Sequence, residues 1–315
     1  MGAGPREKEE RNLKKSRAVL RLYLKHAHPP SAPLIRINPL RLFLWTFRRN
    51  PSDVIELYNT LSPVMQLATG GSMLNFGYWD GIAGPLEAQE RLCGMMAEFS
   101  ELDSALVLID AGSGLGAPAQ YWISKHPALG VYCLNINQQQ LAQSDFHTSG
   151  GSVTAVNATS VKLPFAKASA DRIIALESAQ HFRPLDAFFR ECRRVLLPGG
   201  ILTIAIPVTT NTLHGTTKLL KLGILSLTWS SEHYSADEVR QALRAGGFKI
   251  AEERMIGHKV YEPLAEYYLS NRKTVRTRIL QQYPSFLEVI LHRSILKMRK
   301  ASHKGLIDYL IIKAL

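Results

Sequence analysis

The spacing of apolar positions changes along the chain, and the changes divide it into elements. From Asp53 to Ser100 apolar residues recur at helical intervals around a glycine-rich interruption, Thr69-Gly70-Gly71-Ser72, while Asn75-Phe76-Gly77-Tyr78-Trp79-Asp80-Gly81 reads as a loop. A continuous apolar run of strand length follows, Ala105 to Asp110, with further strand-like runs at Val131 to Asn135, Ser152 to Val156, Arg172 to Leu176 and Ile201 to Pro207. Between the last two, Leu185, Phe188, Phe189, Cys192, Val195 and Leu196 share one helical face, and Pro198-Gly199-Gly200 is expected to stop that helix and turn the chain into the next strand. Ser235 and Glu238 spell a capping box for a helix ending at Gly246-Gly247, after which a sixth strand is expected near Phe248 to Met255. Leu306 to Ile312 completes the set as a seventh strand. This alternation predicts an α/β fold with a parallel sheet covered by helices on both faces. Insertions near 208–234 and 260–303 would cover the mouth of a site at the sheet edge.

At 315 residues, with 46% hydrophobic and 20% charged residues, the chain suits one domain with extra segments, and wholesale disorder is excluded. The net charge of +12 changes the picture only once it is divided by region. Residues 1–50 hold 12 Lys/Arg against 3 Asp/Glu, and residues 271–315 hold 10 against 2, which leaves residues 51–270 at −5 (12 − 9 − 8). We therefore divide the chain into a basic amphipathic arm, 1–50, and a domain spanning 51–315. Within the arm, Leu34 to Arg49 mixes aliphatic, aromatic and basic residues, which suits either an interfacial segment on an anionic membrane or a helix packed on its own domain. On the first reading, deleting residues 1–49 would release the protein from anionic vesicles. Nucleic acid is not the expected partner, and the run Lys297 to Lys304 reads as a solvated face. No apolar run approaches the roughly 20 residues of a membrane span. Cys93, Cys133 and Cys192 are odd in number and lack C-x-x-C spacing, so neither a disulfide framework nor a metal site is expected. Cytoplasmic placement, with peripheral membrane contact, fits best; oligomeric state is not legible.

Candidate chemistry begins at Asp110-Ala111-Gly112-Ser113-Gly114-Leu115-Gly116, directly after the first strand. Glycines there let the backbone approach a ligand, and the following helix can present free N–H groups. The spacing is G-x-G-x-G and not the G-x-G-x-x-G of dinucleotide sites.

Here the chain resembles the class I S-adenosylmethionine-dependent methyltransferases, from Tyr58 to the C-terminus. Val107 to Gly114 looks like their first motif, Asn157-Ala158-Thr159-Ser160-Val161-Lys162-Leu163-Pro164-Phe165 like the adenine-binding segment, Ala170-Asp171 like the start of the fourth strand, and Arg193 to Gly200 like the R-V-L-x-P-G-G turn. Asn75 to Trp79, Leu134 to Gln140 and Glu177-Ser178-Ala179-Gln180-His181 are similar to segments of the sterol, tocopherol and related small-molecule branch. The resemblance implies a Rossmann-like seven-stranded sheet with S-adenosyl-L-methionine as cofactor. It implies that Asp110, Gly112, Ser113, Gly114 and Gly116 hold the methionine part, and that Asn135, Asn137, Gln140, Asn157 and Ala158 lie around the nucleoside. Tyr58, Tyr78 and Trp79 would flank the entrance as substrate or lid residues. The chain departs from the usual pattern in two ways: Asn135 and Asn137 stand where an acid commonly meets the ribose, and Asn157 where Asp commonly meets adenine. An uncharged acceptor weakens a hydrogen bond, so Asn157→Asp is expected to keep or strengthen cofactor binding. Gly112→Val and Gly114→Val are expected to fill the cofactor's place.

Methyl transfer asks mainly for alignment in a water-poor pocket, and for a base only when the acceptor must lose a proton. His181 and Glu177 are the candidates for that role or for positioning substrate; a structural histidine and a cofactor-shell or capping carboxylate are the plainer readings. His214 and His233 are expected at the surface, and Trp229, Tyr261, Tyr267 and Tyr268 suit either a greasy pocket or ordinary packing. The leading reading is methyl transfer to a lipophilic small molecule such as an isoprenoid, quinone, sterol-like or polyketide acceptor. The alternatives are a soluble O- or N-methyltransferase of a polar metabolite, and a non-catalytic cofactor-fold protein whose basic ends bind membrane or RNA.

Overall fold

The computed structural model describes residues 50–144, 151–210, 222, 225 and 232–315. The expectations for the arm, His214 and Trp229 lie outside the described residues. Helices α1 (Pro51–Thr69) and α2 (Pro85–Phe99) precede β1 (Val107–Ala111), α3 (Ala117–Lys125), β2 (Gly130–Asn135), α4 (Gln138–Gln143), β3 (Ser152–Asn157) and β4 (Ala170–Leu176). Then come α5 (Leu185–Val195), β5 (Leu196–Thr209), α6 (Ala236–Ala245), β6 (Ile250–Met255), α7 (Tyr261–Leu280), α8 (Ser285–His303) and β7 (Ile307–Ala314).

The seven strands form one sheet in the order β3-β2-β1-β4-β5-β7-β6. Alternation places successive strand residues on opposite faces. Leu108, Ile174, Ala205 and Ile311 pack with α2 and α3 residues such as Met96 and Trp122, while Ile109, Ile173, Ile204 and Ile312 pack with Phe188, Phe189, Val239 and Leu243 of α5 and α6.

In two respects the structure departs from the sequence reading. The sheet is mixed, because β7 runs antiparallel to both β5 and β6. The reason is the connection: α7 and α8 form an out-and-back pair, so the chain re-enters the sheet at the edge where β6 left it. That edge is also where β1 and β4 end, which puts the hairpin over any site there. The second departure concerns Pro198-Gly199-Gly200, which lies within β5 instead of ending the helix. Leu196 already pairs with Ala170, the register shifts, and Ile201 pairs with Arg172, so the three residues form an irregularity in the strand. Gly199 has φ 79, and a Cβ at Gly200 would come within 3.1 Å of the Asp171 carbonyl.

The capping box at Ser235 is complete, the Ser235 side chain accepting from Glu238 N–H and the Glu238 carboxylate accepting from Ser235 N–H. The α7–α8 pair is fastened by Glu288, whose buried carboxylate accepts from Arg272 Nε at 2.9 Å and the Tyr268 hydroxyl at 3.1 Å. Among the described residues no helix is long and apolar enough to cross a membrane, and no group of three or more His, Cys, Asp or Glu could hold a metal.

Candidate active site

The strand order reverses between β1 and β4, where an α/β sheet opens a crevice at its carboxyl edge. A continuous cavity of about 800 Å3 begins there and extends between α1 and the α7–α8 pair. Its walls divide by chemistry. The loops after β1, β2, β3 and β4 contribute polar groups, whereas α1, α7 and α8 contribute Val54, Leu57, Leu61, Val64, Met65, Leu264, Tyr267, Phe286, Ile290 and Leu291, among others.

At the polar end, Gly112, Gly114 and Gly116 all have left-handed φ values, 83°, 56° and 76°, which glycine adopts without steric cost. The turn is held by Gly112 N–H and Ser113 N–H, both donating to the Leu134 carbonyl, and Gly116 N–H returns to the Ser113 carbonyl to start α3. Asp110, Gly112, Ser113 and Gly114 line the cavity; Gly116 does not. A Cβ on Gly112 would meet the Ser178 Cβ at 2.4 Å, so a side chain there collides with the β4 loop before it reaches any ligand. At Gly114 the added Cβ would stand 3.5 Å from Leu74 Cδ1, an ordinary contact, and the cost is the backbone conformation alone. The expected harm at both glycines thus has two different sources. Asp110 is buried, its Oδ2 has no hydrogen-bond partner among the described residues, and burial pushes its carboxyl up to about 7. Such a group is built to meet a cation, because an unpaired buried acceptor otherwise costs free energy.

Asn135, Asn137 and Gln140 form a hydrogen-bonded cluster on the cavity wall. Asn135 Nδ2 donates to the Gly114 carbonyl and to Gln140 Oε1, at 3.1 and 3.0 Å, and its Oδ1 accepts from Asn137 N–H. Asn137 caps α4 through Oδ1 and donates from Nδ2 to Asn59 Oδ1 at 2.8 Å; Gln140 Nε2 donates to Ser62 Oγ at 2.9 Å. Helix α1 is therefore fastened across the polar end by its own polar residues. Ala158 also lines the cavity. Asn157 does not: its exposed amide donates to the Asn135 and Ile136 carbonyls at 2.9 and 3.1 Å, which joins the ends of β3 and β2.

Where the polar and apolar walls meet stand Tyr58, Glu177 and His181. The Tyr58 hydroxyl and His181 Nε2 are 2.8 Å apart with their rings edge to face, and burial, with the charge of Glu177, raises the Tyr58 phenol above its ordinary range. Glu177 directly follows β4 with φ 50, a left-handed turn that carries its carboxyl into the cavity wall. Its Oε1 accepts from Phe76 N–H at 2.7 Å and from the Tyr309 hydroxyl at 2.9 Å, and burial pushes the carboxyl up to about 8. Trp79 lines the cavity, donates from Nε1 to the Phe76 carbonyl at 2.8 Å and packs against Tyr267. Tyr78 faces the other way, its hydroxyl 3.3 Å from Asp80 Oδ2 at the surface. The left-handed turn at Gly77, φ 78, separates Phe76, which lines the cavity, from Tyr78, which does not.

Tyr267 and Tyr268 line the cavity, whereas Tyr261 is buried and donates to the Asp308 carbonyl. His233, expected at the surface, is 3% exposed, with φ 51. The sequence reading missed Asn59, Ser62 and Tyr309. The first two carried a signal, polar residues three apart that share one side of α1, away from the face of Leu61 and Val64; Tyr309 carried none beyond a hydroxyl within an apolar strand.

The fold is that of a class I methyltransferase, and comparison with known proteins agrees. The pattern described as "Methyltransferase domain" matches residues 109–204. Erythromycin 3''-O-methyltransferase of Saccharopolyspora erythraea is 28% identical over 249 residues, covering 72% of this chain and 78% of that protein. Methyltransferase GfsG of Streptomyces halstedii is 30% identical over 213 residues, 65% of this chain and 75% of that protein. Among solved structures, mycolic acid cyclopropane synthase CmaA1 complexed with SAH and CTAB superposes with a TM-score of 0.71 at 17% identity, covering 84% of this chain and 98% of that one. The chain belongs to the methyltransferase-domain family and is an S-adenosylmethionine-dependent methyltransferase. The unpaired Asp110 carboxyl beside a glycine turn fits that cofactor, which carries an ammonium group and, when bound, supplies an activated methyl group on a sulfonium.

Proposed function

We propose that the enzyme methylates a neutral, lipophilic small molecule seated in the apolar arm of the cavity. The observation that carries this reading is the lining of that arm: α1, α7 and α8 give it mainly aliphatic and aromatic side chains and, among the described residues, no charged one, and the hydroxyls of Thr69 and Ser294 donate to the Met65 and Ile290 carbonyls of their own helices. A polar or charged metabolite would lose its hydration there without gaining partners. An apolar acceptor would gain about 25 cal/mol for each Å2 removed from water. The relative named erythromycin 3''-O-methyltransferase supports the same class of acceptor. A basic surface that brings the enzyme to anionic lipid fits an acceptor of this kind.

In this proposal Asp110, Gly112, Ser113 and Gly114 hold the methionine part of the cofactor, and Asn135, Asn137, Gln140 and Ala158 surround the nucleoside. Gly116 opens α3 beneath them. Asn157 acts on the nucleoside wall through the backbone of Asn135 and Ile136. Where the acceptor atom is a hydroxyl it must lose its proton, and in this reading His181 receives it; the Tyr58 hydroxyl, 2.8 Å from His181 Nε2, supports that role by orienting the ring. Glu177 serves as a positioning residue, because its Oε1 is engaged by Phe76 and Tyr309 and its raised pKa keeps it largely protonated near neutrality. Trp79 and Tyr58 shape the junction; Tyr78 supports the loop from outside.

The test is incorporation of labelled methyl from S-adenosylmethionine into two sets of acceptors. Macrolactones, sterols and isoprenoid quinols should accept label, whereas ethanolamine and glycine should not. Labelling confined to the polar set would overturn the reading. His181→Ala should lower kcat while cofactor affinity stays within about twofold, a difference of about 0.4 kcal/mol.

A further inference from the structure

Helix α8 carries two opposed stripes. Leu287, Leu291, Ser294 and Met298, spaced 4, 3 and 4, line the cavity. Val289, Arg293, Leu296 and Lys300, with the same spacing, lie on the other side, and all four are exposed. Val289 and Leu296 are 40% and 41% exposed, so apolar and basic residues alternate along an open helical face. Residues 261–304 hold nine Lys/Arg and three Asp/Glu, a net +6, whereas residues 51–260 total −3. Of the three acids, Glu288 is buried against Arg272 and Arg276, and Glu266 lies 3.6 Å from Arg299. The outward field of the hairpin is therefore positive.

We propose that this outer face of α8 docks on an anionic lipid surface, with the apolar arm one helix diameter, about 10 Å, beneath the contact. The proposal rests on the lipophilic acceptor put forward above and adds where such an acceptor enters. Charge complementarity selects the lipid: phosphate headgroups meet Arg293 and Lys300, and the acyl boundary accommodates Val289 and Leu296. Nucleic acid offers the phosphates but nothing for the two apolar side chains.

The experiment is flotation of the full chain with vesicles of phosphatidylcholine alone and of phosphatidylcholine mixed with phosphatidylglycerol. The protein should float with the mixed vesicles only. Arg293→Glu with Lys300→Glu should reduce partitioning about tenfold or more, since each basic residue near such a surface contributes about a fivefold factor. Val289→Ser with Leu296→Ser should also reduce it, leaving a residue of binding that added salt removes. Both variants should keep the parent's affinity for S-adenosylhomocysteine by calorimetry, which shows that they are folded. Flotation unchanged in both variants would place the contact elsewhere in the chain, residues 1–49 included, and would overturn the proposal. So would absence of flotation by the parent, or preference for single-stranded RNA over mixed vesicles with parallel losses in the variants. Flotation is read without acceptor, and methylation of a detergent-dispersed acceptor is read without vesicles, so failure of this proposal and failure of the lipophilic reading are separate results.

Discussion

Asn157 illustrates how far one residue type leads when its neighbours are unknown. By resemblance it stands at adenine, where a carboxylate would accept more strongly than an amide. In the structure its Nδ2 donates to two carbonyl groups, so the useful part of the side chain is the donor that Asp lacks. A carboxylate at this position would face the Asn135 and Ile136 oxygens at about the same distances. We expect Asn157→Asp to destabilise the protein by about 1 kcal/mol, tempered by its exposure, and to lower Tm by about 2–4 °C. Cofactor affinity should fall several-fold, because Asn135, Ile136 and Ala158 line the cavity. Calorimetry showing unchanged or tighter binding would return Asn157 to the adenine site. The turn from Asp110 to Gly116 was legible because a turn between a strand and a helix is a local object. Asn157, Tyr78 and His233 were not, because where a side chain points depends on register against elements distant in sequence.

At the scale of elements, Glu177 joins three: the loop after α1 through Phe76, the end of β4, which it directly follows, and β7 through Tyr309. The sequence showed Glu177 and the strand containing Tyr309 but not their meeting, 132 positions apart. It likewise showed seven strands but not the antiparallel direction of β7, which follows from the helix pair before it and from no residue within the strand. The carboxyl of Glu177 is raised by burial from an ordinary 4.5 to about 8, with the hydrogen bonds from Phe76 and Tyr309 opposing the rise. The folded state thus binds this proton more tightly than the unfolded chain does. Its contribution is fully present below pH 4.5 and is lost as pH rises through about 8, so Tm should fall between pH 6 and pH 9. Glu177→Gln keeps an oxygen for Phe76 and Tyr309 but cannot ionise. Its Tm should fall less over the same interval, and the remaining slope belongs to Asp110, raised to about 7. Equal slopes for parent and variant would show that Glu177 is already ionised at neutral pH.

For the molecule as a whole, one cavity has two walls of different chemistry. The strand ends and their loops, which the family pattern covers over residues 109–204, carry the polar end; α1, α7 and α8, which lie outside that span, carry the apolar arm. If the two walls serve separate tasks, a change in the arm should act on the acceptor and leave the cofactor alone. Ile290 on α8 and Leu61 on α1 both line the arm. Replacing either by Trp fills space that an acceptor would otherwise use. Displacing two of its buried methylene groups, at about 0.8 kcal/mol each, should raise KM for a lipophilic acceptor about tenfold or more. Affinity for S-adenosylhomocysteine should remain within about twofold, and the methylation rate at saturating acceptor should change less than KM does. Leu61 provides the stricter control, because it adjoins Ser62, whose hydroxyl accepts from Gln140 at the polar end. If Leu61→Trp weakens cofactor binding while Ile290→Trp does not, α1 couples the two halves through that hydrogen bond. If both variants weaken cofactor binding as much as they raise KM, the cavity works as a single site and the division by chemistry has no counterpart in function.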